Sequence, residues 1–584
     1  DMFMNAEGFV AATTLDMTLS ECGSGEGFAG LLGTSVGGSL AVGPSEAAGE
    51  GTIAIGLGST ANGATAIALG SAVEVQGDNV VALGNAIEDG GLEAVVIGDE
   101  AGAAGDQAIA IGNAAVASVG QTIAIGNETS ATGELTVAIG SFVKVTGTNA
   151  VAIGNTISSA GGTAIAVGDQ AAAGGEQAVA LGGSTAATGG QSISLGFKAQ
   201  SGGTGTIAIG NEVQVDGTGL VAIGTGISTA GSKSVVIGAG AAAEGSSSIA
   251  LGESVAATGS SSIAIGTNAT ATSLSSGAIA IGSSTTASAE NALAMANGAA
   301  SGTASIALGP GSRASQTNAV AIGKSTNATA ANALAMVGGQ ASGSAAISIG
   351  AGSSASQANS VSIGKATSAT AANGVAIGSS AKASEDSAIA LGASTTSSGS
   401  QSIAFGFNST ASGACSVSFG AHSYTNASGA VAIGPCAQSK GVNAIAIGAN
   451  TTATCANSFV LGAGAIADGV GAGAIGYMAN TQGTDAMAVG VKACALGDNS
   501  LALGTSACSN GLDSIAIGFT ASANKTNAAA IGTNATANGI NAMAFGAHAR
   551  ACGTNSTAIG AQSFADQTNS FVIGPNTSAC GANA

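Results

Sequence analysis

The sequence is poor in the residues from which large globular cores and active sites are built. Tryptophan is absent, and aromatic and charged residues make up only 3% and 7% of the 584 residues. The longest apolar stretch, residues 28–43, is short and broken by glycines, so we expect no membrane-spanning segment. The two histidines, His422 and His548, lie nine repeats apart, and no nucleophile has a base near it. We therefore expect no enzymatic activity.

Basic residues are also scarce, and charge is unevenly distributed. Through residue 266 there are 23 acidic residues and three lysines, whereas the remainder has eight acidic and eight basic residues. An acidic half argues against nucleic acid or anionic lipid as a partner. Glu74 and Glu88 occupy matching repeat positions near Asp99 and Glu100, which would suit calcium, but no ligand spacing recurs. Solubility is the simpler interpretation, and we predict no metal and no cofactor.

Glycine, in contrast, is abundant and regularly spaced. A glycine closes an AIAIG-like motif every 14 residues from Gly56 to Gly266, and again from Gly364 to Gly574. Between these blocks the spacing is 16 once and 13 twice. Two repeats carry another residue at this position, Ala296 and Val337. Such short-period self-similarity predicts a solenoid.

Longer repeats, each made of several of these short units, divide the chain into regions. Three 70-residue copies are followed by two 41-residue copies and then by plain 14-residue repeats. The predicted regions are an off-register N-terminal segment (1–39), an acidic region (40–266), a region with the 41-residue copies (267–364) and a cysteine-containing region (365–584).

Alternating side chains predict two short strands in every repeat. With the closing glycine as position 0, positions −1 and −3 are large and apolar, and a weaker alternation occupies +3 and +5. All four prolines stand at +1, which must therefore lie outside a strand. The pattern predicts an all-β solenoid of about 39 coils of about 14 residues. Glycine suits its corners, represented by Gly56, Gly70, Gly84, Gly98, Gly434 and Gly574.

Position −2 points away from −1 and −3, and it is small in every repeat from Gly56 to Gly574. If −1 and −3 fill the coil, −2 faces outward, where a strand facing water should be polar. Small outward residues would allow another chain to pack closely, so we predict self-association through this face. The predicted seam includes Ala54, Ala68, Ala82, Ala110 and Ala124.

The motifs SIAIG (262–266 and 514–518) and AVAIG (319–323 and 430–434) resemble the head repeat of trimeric autotransporter adhesins, the YadA-like head. The resemblance covers about residues 40–574. It implies a left-handed parallel β-roll, a parallel homotrimer and an extracellular role in attachment. The stalk and membrane anchor of that family are not apparent, so we expect a head-like rod alone: a fragment, a secreted relative or a fibre component.

The off-register segment 1–39 has two interpretations. It is apolar, and it either caps its own solenoid or docks on the end of the next subunit to build a head-to-tail filament.

Seven of the eight cysteines lie between residues 415 and 580. Cys494 and Cys508 share position +4 on successive coils and should stack. The spacing of strands permits a disulfide between them, and two buried thiols are the alternative.

The leading functional hypothesis is a non-enzymatic extracellular rod, structural or adhesive, that forms a surface appendage or filament. Its partners would be copies of itself and an extracellular matrix or surface ligand. A viral or phage fibre shaft is the second hypothesis. An ice-binding or other single-chain solenoid is the third, although the threonines are too scattered to form flat columns.

Overall fold

The computed structural model describes residues 34–35, 38–273 and 276–579. The described residues form strands and turns and contain no helix. They belong to two compact units, Asp1–Thr285 and Thr286–Ala584. Most of the N-terminal segment, residues 1–33 and 36–37, lies outside the described residues, so its predicted role in docking or capping stays a prediction.

Each coil contains two strands, and the described residues form 79 strands that follow one another. The first unit runs from β1 (Thr34–Ser35) to β36 (Ile279–Ile281), and the second from β37 (Thr286–Ala287) to β79 (Ser578–Ala579). Even-numbered strands cover positions −3 to −1, as in β4 (Ile53–Ile55).

Eight even-numbered strands of the first unit extend through the glycine to +1: β6 (Ile67–Ser71), β8 (Val81–Asn85), β10 (Val95–Asp99), β16 (Val137–Ser141), β18 (Val151–Asn155), β20 (Ile165–Asp169), β26 (Ile207–Asn211) and β28 (Val221–Thr225).

Odd-numbered strands cover positions +4 and +5, as in β5 (Thr60–Ala61). They start one residue earlier where a corner is shorter, in β3 (Glu46–Ala47), β39 (Ala299–Ala300) and β45 (Gln340–Ala341). Successive coils pair in parallel and in register, so that Ile53 lies beside Ile67 and Thr60 beside Glu74. This confirms the prediction of an all-β solenoid, which has about 38 turns of parallel stacked coils.

The interior of each coil is lined by small side chains. Four positions of the repeat are buried: −2 in the even-numbered strand and −4 just before it, and +5 in the odd-numbered strand and +3 just before it. They carry mostly alanine, valine, serine or threonine. A coil of about 14 residues brings its two strands so close together that no side chain larger than valine stands at −2 or +5, whereas −4 and +3 also admit Leu220 and Ile87, which are fully buried. The large residues at −1 and −3 therefore point outward and are only partly covered.

The predicted seam is therefore wrong in its direction. The five seam alanines have no exposed surface within their own chain, so they cannot contact a partner: Ala54, Ala68, Ala82, Ala110 and Ala124. The small residues at −2 face the interior and the larger residues at −1 and −3 face outward, which is the reverse of the predicted arrangement.

The glycine at position 0 occupies a conformation that no other residue tolerates. Gly56 has φ of 133°, and a Cβ built on it would lie 1.5 Å from the carbonyl oxygen of Gly70 in the next coil. The φ angles of Gly70, Gly84, Gly98, Gly434 and Gly574 are 144°, 155°, 146°, 131° and 118°. Ala296 and Val337 escape this restriction because their corners are one residue shorter, which places them at φ of 52° and 55°.

Candidate interaction surfaces

The outward face of the even-numbered strands is apolar in both units. Leu83 and Leu195 of the first unit are 38% and 41% exposed, and Phe405 and Phe419 of the second are 42% and 48% exposed. The two phenylalanines lie on successive coils and stack with their ring centroids 4.6 Å apart. Exposed apolar patches that continue over many residues mark interaction sites. We call this surface, formed by positions −1 and −3, the apolar face.

Position +1, two residues beyond −1, adds large side chains at intervals. Five of these residues are more than half exposed: Leu57, Phe197, Phe407, Tyr477 and Phe519. The outward position of the odd-numbered strands, +4, differs, since it carries polar residues such as Thr60, Glu74 and Lys144. The apolar face is therefore the better suited of the two for burial against a partner.

Acidic residues line one corner of the first unit. Glu50, Asp78, Asp106 and Glu134 stand at position −6 on alternate coils. Asp78 accepts a hydrogen bond from the N–H of Ala64 at 2.7 Å, and Asp106 accepts one from the N–H of Leu92 at 3.0 Å. These two carboxylates thus satisfy the backbone of the preceding coil.

The same corner holds a shallow groove of about 500 Å³. It is lined by Leu92, Glu93, Asp106, Gln107, Gly120, Gln121, Glu134 and Leu135. Gln107 donates to Glu93 at 2.9 Å, and Gln121 donates to Gln107 at 3.0 Å. Because these side chains bond to one another, the groove presents a continuous polar ladder.

The acidic pair considered for calcium lies on the outside of the solenoid. Glu74 and Glu88 are partners on neighbouring strands, and both are exposed. Asp99 accepts a hydrogen bond from Asn85 at 2.7 Å. Within the described ranges, no three His, Cys, Asp or Glu side chains lie close enough together to hold a metal ion.

One carboxyl group points into the solenoid. Asp89 stands at position +5, beside Val75 of the preceding coil, and is 1% exposed. Neither of its oxygens has a hydrogen-bond partner. Burial raises the pKa of Asp89 to about 7, and the backbone N–H of Gly91 opposes only part of this shift. That N–H donates to the carbonyl of Ala103 at 3.2 Å.

The ladder between odd-numbered strands stops at this residue. One sheet of the first unit ends at β9 (Glu88–Asp89), and the next begins at β11 (Gly102–Ala103). A second interruption follows β29 (Ser228–Thr229), where Thr229 Oγ1 bonds to the backbone of Ala243. Both interruptions lie at a buried polar side chain at +5, although Ser159 and Ser201 occupy the same position within the unbroken sheet from β11 to β29. The composition of the sequence does not single out Asp89 as a buried carboxyl group, but its place at position +5 of the repeat does.

His422 and the threonines of the coils contact neighbouring residues of the solenoid. Nδ1 of His422 lies 3.1 Å from the amide nitrogen of Asn408, and its ring meets Phe407 edge-on. Four threonines that an ice-binding surface would need to expose are instead buried inside the coils: Thr52, Thr122, Thr136 and Thr206.

Cys494 and Cys508 are brought together as expected from their spacing. They are partners on β67 (Cys494–Ala495) and β69 (Cys508–Ser509), and both are half-buried free thiols. Cys22 and Cys580 lie outside the described residues.

Family comparison places these features in a known context. The model of the YadA head domain repeat matches the chain many times, and the matches together cover more than half of it. The chain belongs to the YadA head repeat family. The matched residues are 47–72, 90–115, 103–129, 120–142, 131–156, 159–185, 187–212, 257–276, 275–295, 300–326, 314–336, 369–395, 397–423, 439–465, 467–493, 482–507, 495–521, 509–535, 523–549 and 551–577. No curated protein matches the chain.

The YadA head repeats give this chain an adhesin-like character, and proteins with such repeats are typically non-enzymatic and surface-exposed. No helix among the described residues is long and apolar enough to cross a membrane.

Proposed function

We propose that this chain is an extracellular, non-enzymatic adhesive protein that assembles as a parallel homotrimer of left-handed β-rolls. The apolar face carries this proposal. In a single chain the large residues at −1 and −3 stay partly exposed along both units, which is unfavourable in water. Association of three equivalent faces would bury them around a common axis. Membership of the YadA head repeat family supports the same assembly.

Trimerisation leaves other surfaces available for attachment. The outward +4 position recurs from coil to coil, and the acidic residues at −6 recur on alternate coils of the first unit; neither position belongs to the apolar face. A repeated surface binds a repetitive target by many weak contacts, so avidity rather than one pocket would provide the affinity. The proposed target is an extracellular matrix or cell-surface ligand.

Sedimentation velocity combined with mass determination tests the assembly. We expect a mass of three times 53.5 kDa for the pure chain. Replacing Phe405 and Phe419 together by glutamate should dissociate or weaken the trimer, because the charges would be buried at the contact. The matched control replaces Thr396 and Thr410 by glutamate; both stand at the outward +4 position.

The control variant should remain trimeric. A monomeric wild-type chain, or equal dissociation of both variants, would contradict the proposed interface. Adhesion is tested by binding of the wild-type protein and the dissociated variant to surfaces coated with matrix proteins. The wild-type protein should bind and the dissociated variant should lose most binding. Equal binding would argue against avidity.

A further inference from the structure

Two cysteines form a pair that the assembly does not explain. Cys494 and Cys508 stand opposite each other on neighbouring parallel strands. Parallel strands lie about 4.8 Å apart, which is within the Cα separation of disulfide-bonded cysteines. No other two cysteines in the sequence are separated by 14 residues, so this is the only pair that shares a position on successive coils.

The surroundings of the pair favour reaction at one sulfur. A hydrogen bond from Cys494 lowers the pKa of Cys508 to about 7, although burial opposes this change. The same hydrogen bond, together with burial, raises the pKa of Cys494. Cys508 is therefore the better nucleophile near neutral pH, since the thiolate is the reactive form.

We propose that Cys494 and Cys508 are a redox-active pair that closes a reversible disulfide between two successive coils. A peroxide is the oxidant. The Cys508 thiolate attacks one peroxide oxygen and becomes a sulfenic acid as hydroxide leaves. Cys494 then loses its proton and attacks the sulfenic sulfur, and the second oxygen leaves as water. Two thiols and one peroxide thus yield one disulfide and two waters.

The strand geometry makes this disulfide easy to reduce. In register, the two Cβ atoms are about as far apart as the strands, roughly 4.8 Å, whereas a relaxed disulfide holds them at about 3.5–4.5 Å. Closing the bond draws the two coils together against the uniform spacing of their neighbours. Strained and accessible disulfides are the ones that thiol reductants open readily.

Peptide mapping of the full-length protein tests the proposal. Cleavage after Lys492 and before Asp498 separates the two cysteines into different peptides. After treatment with one equivalent of hydrogen peroxide, we expect these peptides to remain joined until a thiol reductant is added. If they separate and both thiols can still be alkylated, the proposal is wrong.

A matched variant shows whether the pairing depends on register. Cys508→Ser combined with Ser522→Cys keeps the number of cysteines but places the pair two coils apart in the same column. Peroxide should not join the corresponding peptides in this variant, and equal joining would overturn the proposal. Oxidation of mixed light and heavy isotope-labelled chains should give only unmixed pairs; mixed pairs would instead show a bond between chains.

The nucleophile is assigned by alkylation rates at pH 7. Cys508 should react at least about tenfold faster than Cys415 in the reduced wild-type protein. Cys494→Ser should remove most of this difference, because Cys494 supplies the activating hydrogen bond. Equal rates for Cys508 and Cys415 in the wild type would contradict the assignment.

Discussion

Two backbone conformations at the coil corners select two kinds of residue. Position 0 requires φ well above 100°, as at Gly70, and a carbonyl of the next coil occupies the space of a Cβ. Positions −5 and +2 adopt the ordinary left-handed conformation, as at Asn79 with φ of 60°. Asparagine tolerates this region better than most residues, which explains its frequency at these positions. Asparagine therefore cannot replace the glycine at position 0, whereas glycine can stand at −5 and +2, as Gly58 does at +2 with φ of 68°.

Gly70→Ala should destabilise its coil severely. Its Cβ would lie 1.6 Å from the carbonyl oxygen of Gly84, so we expect a loss of about 3 kcal/mol or more. Hydrogen exchange of the amides in the neighbouring coils measures this loss locally. Gly90→Ala is the control, because nothing lies within 4 Å of its Cβ. Unchanged protection in Gly70→Ala would show that the coils separate easily.

Asp89 should make the first unit less stable as pH rises. Its pKa is about 7 in the fold and about 3.8 in a solvated chain, so the folded state binds the proton more tightly between these values. Stability should be highest below about pH 4, decline toward pH 7 and then level off. The total change is at most on the order of 4 kcal/mol.

Replacing Asp89 by valine, the residue at Val75, should remove most of this pH dependence and raise stability at pH 7. Chemical denaturation monitored in the first unit at several pH values provides the measurement. Asp99→Asn serves as the control, since Asp99 is exposed. An equal pH slope in the wild type and Asp89→Val would rule out Asp89 as the source.

At the scale of strands and corners, side-chain ladders run beside the backbone ladders. In the second unit, Asn527 donates to Asn541 at 2.9 Å, Asn541 to Asn555 at 2.9 Å and Asn555 to Asn569 at 3.1 Å. The first unit uses glutamine in the same way, in the groove at its acidic corner. Identical positions on stacked coils make such ladders possible.

Two substitutions of Asn541 separate its two contributions. Asn541→Ala should cost about 2–3 kcal/mol, because it removes two ladder bonds and strains the left-handed corner. Asn541→Gly relieves the strain and should cost less. Hydrogen exchange at the flanking coils measures both effects. Equal losses in the two variants would show that the ladder alone matters.

At the scale of the whole molecule, charge and assembly are linked. The whole net charge of −20 lies before residue 267, and a parallel trimer would place three such regions side by side. The proposed trimer should therefore dissociate more readily at about 0.01 M salt, where the Debye length is about 30 Å, than at about 0.15 M, where it is about 8 Å. Sedimentation at both salt concentrations measures this. Independence from salt would argue against a parallel arrangement.

The repeat, the centre of each strand and the parallel stack could be predicted from the amino-acid sequence. Period and alternation are local properties. The prediction that +1 lies outside the strand was wrong for the eight strands that extend to +1, such as β6 (Ile67–Ser71), because +1 is not proline in those coils and keeps its backbone N–H. The register of Cys494 with Cys508 followed from the 14-residue spacing, since stacked coils convert a sequence interval into a contact. The fold family could be inferred from the same motifs.

Which side of each strand is enclosed became clear from the packing of the coils. Alternation distinguishes two faces but does not say which one is enclosed, and hydrophobicity favoured the larger residues. Position −2, inside the coil, holds no residue larger than valine, as at Ala54, so the larger Ile53 and Ile55 remain outside. The burial of Asp89 could also not be predicted from the sequence, because the free-energy cost of burying its carboxyl group depends on residues that lie one coil away.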